Sequence, residues 1–428
     1  MDPFKIAGIV LGISALASVF NARVLRLPES IGLMATGLLA SIGFMIIGKI
    51  FPETILPLCH RVAEFDFSAF VLTYALGFLV FAGAFSADSE AMEKERWTII
   101  LFATVGILLS TFIVGGLVFG IVSVLGLAQV PFIHCLLFGA LISPTDPIAV
   151  LAILKETSVP RSLQADIAGE SLLNDGVAVV VFLTILQIAG GGAHEAEATE
   201  SSVGSVLVLL AREVGGGVLL GSLFGFLGTW LIRLCRIPSV DILVSVAIVI
   251  GAYALADAIH VSGPLALVAT GLVFGRRLAK GKLAQSERHH LDSFWDAIDH
   301  LLNAVLFTLM GIVLLALSHE SEGTTLVMAA LLAIPAVLLA RIISVAIPLP
   351  LTKLRCGQPA STIAMLSWGG LRGGISIALA LSLSEDLSKE LILHMTFAVV
   401  AFSIIIQGLT ISPLVDKLML ASKDEIPS

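Results

Sequence analysis

The stretch GESLLNDG, residues 169–176, sits inside an apolar run at 163–188, and its reading decides the fold. Glu170, Asn174 and Asp175 stand there among aliphatic side chains. An ionisable group at membrane depth costs at least ~2.5–3.5 kcal/mol on insertion scales, so it marks an ion pathway by default. Helical spacing sorts these residues. Ser171 and Asp175 lie four apart and share one face, while Glu170 and Asn174 lie four apart on the adjacent face. A carboxylate with a hydroxyl one turn below it is thus set beside a second pair suited to scaffolding.

Working outward, the composition agrees. The 428 residues are 57% hydrophobic and 13% charged, with mean hydropathy +1.03, against roughly 25% charged in soluble domains. Apolar runs long enough to cross a bilayer predict thirteen spans. They fall at 4–24, 31–51, 67–85, 98–125, 132–154, 163–188, 214–234, 242–258, a short 265–274, 301–317, 326–351, 362–383 and 391–414. Residues 203–211 read as an outward extension of the seventh. The chain is therefore expected to be an all-α polytopic membrane protein with no soluble domain of useful size.

Lysine and arginine set the orientation. Seventeen fall in the connecting segments of one side and five in those of the other, and the basic side is the cytoplasmic one. That places the N-terminus outside, the C-terminus inside and the acidic loop at 190–202 outside. Cys59, Cys135, Cys235 and Cys356 lie far apart. They read as small apolar fillers rather than a disulfide framework or zinc site.

Two spans carry helix breakers. The fifth contains SPTDP (143–147) and the twelfth WGGLRGG (368–374). Proline removes a backbone donor and glycine weakens a helix, so both spans should unwind near mid-depth. Unwound backbone in a bilayer persists only where it is buried in protein or lines a cavity. With the spans divided as six, a linker and six, the fifth and twelfth hold equivalent places. That pairing is the mark of an inverted repeat with its site at the midplane.

The chemistry follows from these positions. Asp175 reads as the carrier of a cation and a proton in alternation. The Ser171 hydroxyl and carbonyls freed at Thr145 supply further hard oxygens for a bare monovalent ion. Asn174 cannot titrate, so one carboxylate moving one charge in either direction predicts electroneutral, one-for-one exchange. Glu170 is expected to pair with Arg372, neutral together and rigidifying. Asp146 sits where it can offset the positive end of a half-helix. Arg341 and Asp257 read as lateral or interfacial anchors.

Five motifs carry a family resemblance: SPTDPIAV (143–150), GESLLNDGVAVVVF (169–182), ALADAIHVSGPLALVATGLVFG (254–275), SWGGLRGGISIALAL (367–381) and FSIIIQGLT (402–410). Together they resemble the monovalent cation/proton antiporter family, in its Asn-Asp branch of NhaP-like sodium/proton antiporters and animal sodium/proton exchangers. The resemblance implies an NhaP/NhaA-like antiporter fold, a homodimer in the lipid bilayer, and a core domain moving against an interface domain. On that division residues 1–97 carry interface spans 1–3 and 98–190 core spans 4–6. Residues 191–320 hold the outer loop and interface spans 7–10, 321–420 core spans 11–13, and 421–428 a short cytoplasmic tail.

By position the resemblance implies ion binding at Asp175, Ser171 and Thr145. Asp146 and Asn174 then form the crossing-helix pair, and Glu170 with Arg372 the core ion pair. It implies secondary transport of sodium against protons in the plasma (inner) membrane of a prokaryote, without enzyme activity, cofactor or nucleic-acid partner. Lithium and potassium are the other candidate cations. One departure bears on that choice: related prokaryotic members carry a glutamate in the third span, where LVFAGAF (79–85) here has Ala82. Two other classes fit less well. A cation channel would need a filter sequence that is absent, and an intramembrane aspartyl protease using Asp146 and Asp175 would need the YD and GxGD motifs, also absent.

Overall fold

The computed structural model describes residues 3–27, 32, 36, 75–87, 89–127, 129–146, 161–190, 203–235, 237–280, 285–317, 324–352 and 359–423. The second predicted span lies almost wholly outside these residues, as do the end of the fifth and the acidic loop from 191 on. Among the described residues the secondary structure is helical apart from one isolated β-bridge. We number the helices α1 (Pro3–Phe20), α2 (Leu76–Ser86), α3 (Ser89–Lys94), α4 (Arg96–Val124), α5 (Phe132–Ile142), α6 (Arg161–Ile188), α7 (Val203–Cys235) and α8 (Pro238–Ala258). Then come α9 (Gly263–Lys280), α10 (Gln285–Leu317), α11 (Thr324–Ala346), α12 (Pro359–Trp368), α13 (Gly374–Leu381), α14 (Lys389–Phe402) and α15 (Gly408–Lys423). A π-helical turn at Phe102–Gly106 lies within α4, and another at Ser403–Gln407 joins α14 to α15.

Six helical stretches of the described residues, α14 with α15 counted as one, are long and apolar enough to cross a bilayer, and their outer faces show what solvent they meet. On α7 the exposed residues Leu219, Leu223, Phe226, Trp230 and Leu234 recur at helical spacing. Such a stripe is costly in water and natural in hydrocarbon. The helix also starts at Val203, so the apolar 203–211 segment is its continuous extension.

Two boundaries differ from the sequence expectation. The tenth span was expected from Leu301, but α10 begins at Gln285. The reason is an apolar stripe of Leu291, Phe294, Trp295 and Ile298 that packs in one cluster with residues of α2, α8 and α9, enough to hold the helix despite the acidic residues beside it. The short ninth span extends to Lys280, its end tied by an Arg276–Glu93 ion pair at 2.6 Å and by Arg277 over the Phe226 ring at 4.3 Å.

Packing follows small residues. A β-carbon added to Gly217, Gly221 or Gly225 on α7 would sit 2.7, 1.9 or 2.9 Å from the carbonyls of Ser262, Ala266 and Thr270. Matching four-residue steps thus bring the α7 and α9 backbones together, as small residues do between membrane helices. A second cluster gathers α4, α5, α6, α11, α13 and α14 around side chains such as Phe138, Leu141, Phe182, Val337 and Ile377.

Candidate ion site at the crossing of two unwound segments

α5 ends at Ile142, and α12 and α13 are separated by residues 369–373. The two unwound stretches meet in the isolated antiparallel bridge, where Asp146 N donates to Leu371 O at 2.7 Å. The twelfth span is therefore broken as predicted, the fifth stops being helical at SPTDP, and the two unwound stretches cross. Each chain direction leaves a helix end facing the other segment, and each end receives the matching charge. Arg372 Nη1 donates to the Ser143 and Pro144 carbonyls at the C-terminal end of α5, the latter at 2.9 Å. The Asp146 carboxylate lies against Gly373, where α13 begins: a β-carbon there would be 2.7 Å from Asp146 Oδ2. Cations suit helix C-termini and anions suit N-termini.

α6 passes beside this crossing and supplies the polar face read from the sequence. Ser171 Oγ lies 3.0 Å from Thr145 Oγ1, and Asn174 Nδ2 donates to Thr145 Oγ1 at 3.2 Å and to Glu170 Oε1 at 3.4 Å. Thr145, Glu170, Ser171 and Asn174 are each no more than 3% exposed. Asp175, one helical turn on from Ser171, is half-buried. Hydroxyl and carboxylate oxygens thus gather on one flank of the crossing, the donor set that a hard monovalent cation takes.

Three contacts differ from the expected ones. Glu170 does not bond to Arg372. Its Oε1 accepts from Arg341 Nη1 at 2.6 Å, with the two side chains 4% and 8% exposed. Arg372 is held instead by the α5 carbonyls, which spread its charge over a helix end, and its amide donates to Ser403 Oγ at 2.9 Å. Arg341 is accordingly a buried partner within the site and no lateral anchor. Asp257, the other residue read that way, is exposed at the end of α8. Asn174 reaches Thr145 rather than its neighbour Asp146.

Several participants had no assigned role. Ser143 Oγ donates to the Gly139 carbonyl at 2.6 Å and lies 2.9 Å from Ser110 Oγ, anchoring the start of the break to α4. Ser403 and Gln407 bracket the π-helical turn after α14, and Gln407 Nε2 donates to the Trp368 carbonyl at 3.3 Å. Their signal was present as two polar residues four apart in the apolar motif FSIIIQGLT. Ala82 lies 2% exposed in the aromatic cluster of Phe81, Phe85 and Trp295.

Two unwound segments crossing beside buried polar groups suit a membrane carrier. The comparisons agree with that class. The family model described as "Sodium/hydrogen exchanger, transmembrane" matches residues 11–417, and the chain belongs to this family of membrane transporters, not enzymes. It is 41% identical over 414 residues to the Na(+)/H(+) antiporter NhaP of Pseudomonas aeruginosa, covering 95% of each chain. It is 30% identical to the Na(+)/H(+) antiporter NhaH of Halobacillus aidingensis over 94% of each. The solved structure of the sodium proton antiporter MjNhaP1 from Methanocaldococcus jannaschii at pH 8 shares the fold, with TM-score 0.73 at 19% identity over 97% of this chain and 98% of that one. The chain is thus a multi-pass membrane protein of antiporter fold.

Proposed function

We propose that the chain exchanges sodium for protons across a prokaryotic plasma membrane by alternating access at Asp175. The observation that carries this reading is the half-buried Asp175 one helical turn from Ser171, whose hydroxyl meets Thr145 at 3.0 Å at the crossing. Sodium and a proton compete for the same oxygens, so each displaces the other. Sodium, rather than lithium or potassium, is the ion named for relatives that match nearly the whole chain.

In this reading Thr145, Ser171 and Asp175 hold the ion, with Asp146 beside them. Asn174, Glu170 and Arg372 keep the site in shape, joined by Arg341. Residues 98–190 and 321–420 form the core domain, which moves against interface segments 1–97 and 191–320, leaving 421–428 as a cytoplasmic tail. The packing of α2, α7, α8, α9 and α10 around Phe81, Phe274 and Trp295 supports that division. The N-terminus lies outside, the C-terminus inside, and two copies form a homodimer. One titrating carboxylate per cycle makes the exchange electroneutral.

Everted membrane vesicles with a pH-reporting dye test the proposal. Sodium should collapse an imposed proton gradient, more strongly than potassium, and Asp175→Asn should give no response. Vigorous exchange by that variant would remove Asp175 from the role. In liposomes, a rate that depends on clamping the membrane potential would contradict the one-for-one ratio.

A further inference from the structure

Asp166 lies one helical turn before Glu170 on α6, toward the end that the proposed orientation puts on the cytoplasmic side. It is 2% exposed, and both its carboxylate oxygens are buried with no hydrogen-bond partner among the described residues. An ionised carboxylate in that setting keeps neither its hydration nor a compensating bond, and such groups are rare because the cost is high. The same group carrying a proton is neutral and costs far less to bury.

Among the described residues, the charges that act on Asp166 are those of Glu95, at the turn between α3 and α4, and Glu170, both acids. Arg341 is taken by Glu170. On α3 and α4, Glu90, Lys94 and Arg96 are exposed, and Arg276 of α9 is taken by Glu93. Packing makes this turn of α6 a joint. A β-carbon on Gly169 would come 2.5 Å from Ile99 and 2.9 Å from Met92, so α3 and the start of α4 lie against α6 here. The Glu93–Arg276 ion pair ties α3 to α9 as well. α3 thus bridges α6, assigned to the core, and α9, assigned to the interface domain.

We propose that Asp166 is a second proton-binding site, occupied in this arrangement, and that release of its proton frees α6 from α3. A charge on Asp166 meets two like charges, from Glu95 and Glu170, and has to reach water. Parting Met92 and Ile99 from Gly169 opens that route. It also detaches α6 from the bridge to α9, the movement of core against interface on which the proposed exchange depends. Alkaline pH on that side therefore speeds exchange by unlatching the core, and acid pH slows it. Asp166 takes no part in holding the ion, since Asp175 is nine positions on and about half a turn round the helix. The switch rests on the proposed exchange; the proton site does not.

Two readouts on the purified full chain involve no transport and so separate this site from sodium exchange. Infrared difference spectra between acid and alkaline buffer should contain a carboxylic-acid C=O band that Asp166→Asn removes. The thermal midpoint of the unaltered protein should fall with rising pH more steeply than that of Asp166→Asn, by the slope of one released proton. The folded state holds a proton that the unfolded chain gives up. Glu95→Gln, at a half-buried turn, should move the loss of the band to lower pH by removing a like charge. In proteoliposomes Asp166→Asn should still exchange sodium but lose the alkaline rise in rate. A band and a midpoint slope that Asp166→Asn leaves unchanged overturn the proton site, and an unchanged pH profile of exchange overturns the switch. An unaltered protein that shows the band but exchanges no sodium keeps the proton site and takes the switch down with the proposed exchange.

Discussion

Arg341 Nη1 reaches Glu170 Oε1 at 2.6 Å, tying α11 to α6 through a pair almost wholly withdrawn from solvent. Breaking a buried pair from one side leaves an uncompensated charge, typically at a cost of about 3–5 kcal/mol. Arg341→Met should therefore lower the thermal midpoint of the purified protein sharply. Glu170→Leu added to it should recover most of the loss, because both charges are then gone. Equal loss in the single and double variants would show that Arg341 matters by packing alone.

Ser171 tests the ion site without removing its charge. Its hydroxyl meets Thr145 Oγ1 at 3.0 Å, and a neutral hydrogen-bonding group is worth about 0.5–1.5 kcal/mol. Ser171→Ala should raise the sodium concentration for half-maximal exchange by up to about tenfold, with the maximal rate largely kept. An unchanged sodium dependence in sodium-jump fluorescence assays would place the hydroxyl outside the ion's shell.

Gly373 leaves space for the Asp146 carboxylate, which a β-carbon would meet at 2.7 Å. Gly373→Val should force the two unwound segments apart, losing about 1–3 kcal/mol by overpacking and most of the exchange rate. The readout is a paired one, thermal midpoint and sodium-driven proton flux on the same preparation. Normal values for both would mean that the crossing tolerates separation.

Gly221 and Gly116 form a contrast within one protein. A β-carbon at Gly221 would lie 1.9 Å from the Ala266 carbonyl, whereas one at Gly116 would meet nothing within 4 Å. Gly221→Leu should lower the thermal midpoint markedly by prising α7 from α9, and Gly116→Leu should change it little. Similar midpoints for the two variants would argue against close α7–α9 packing as a source of stability.

Much of the site was legible because polar residues inside apolar runs are conspicuous. Asp175, Ser171, Glu170 and Asn174 declared themselves by type and by a four-residue step. SPTDP and WGGLRGG declared two helix breaks by backbone chemistry. The start of α10 was less visible, since Asp292, Asp296, Asp299 and His300 hid an apolar stripe that only its packing partners explain. Ser403 and Gln407 were visible as polar residues but had no evident task until a second segment came against them.

The amino-acid order alone settled that the chain crosses a membrane many times, and it marked the two places where helices unwind and the polar residues of α6. Each is a local property: hydropathy, backbone preference and helical period act within a few residues. Partner choice is not local. Arg341 and Arg372 are both single cations in apolar runs, and nothing in their neighbourhoods says which one meets Glu170. That was decided by the approach of α11 to α6 and by the α5 carbonyls closing around Arg372, because the strength of a charge pair depends on distance and burial, which only the folded arrangement supplies.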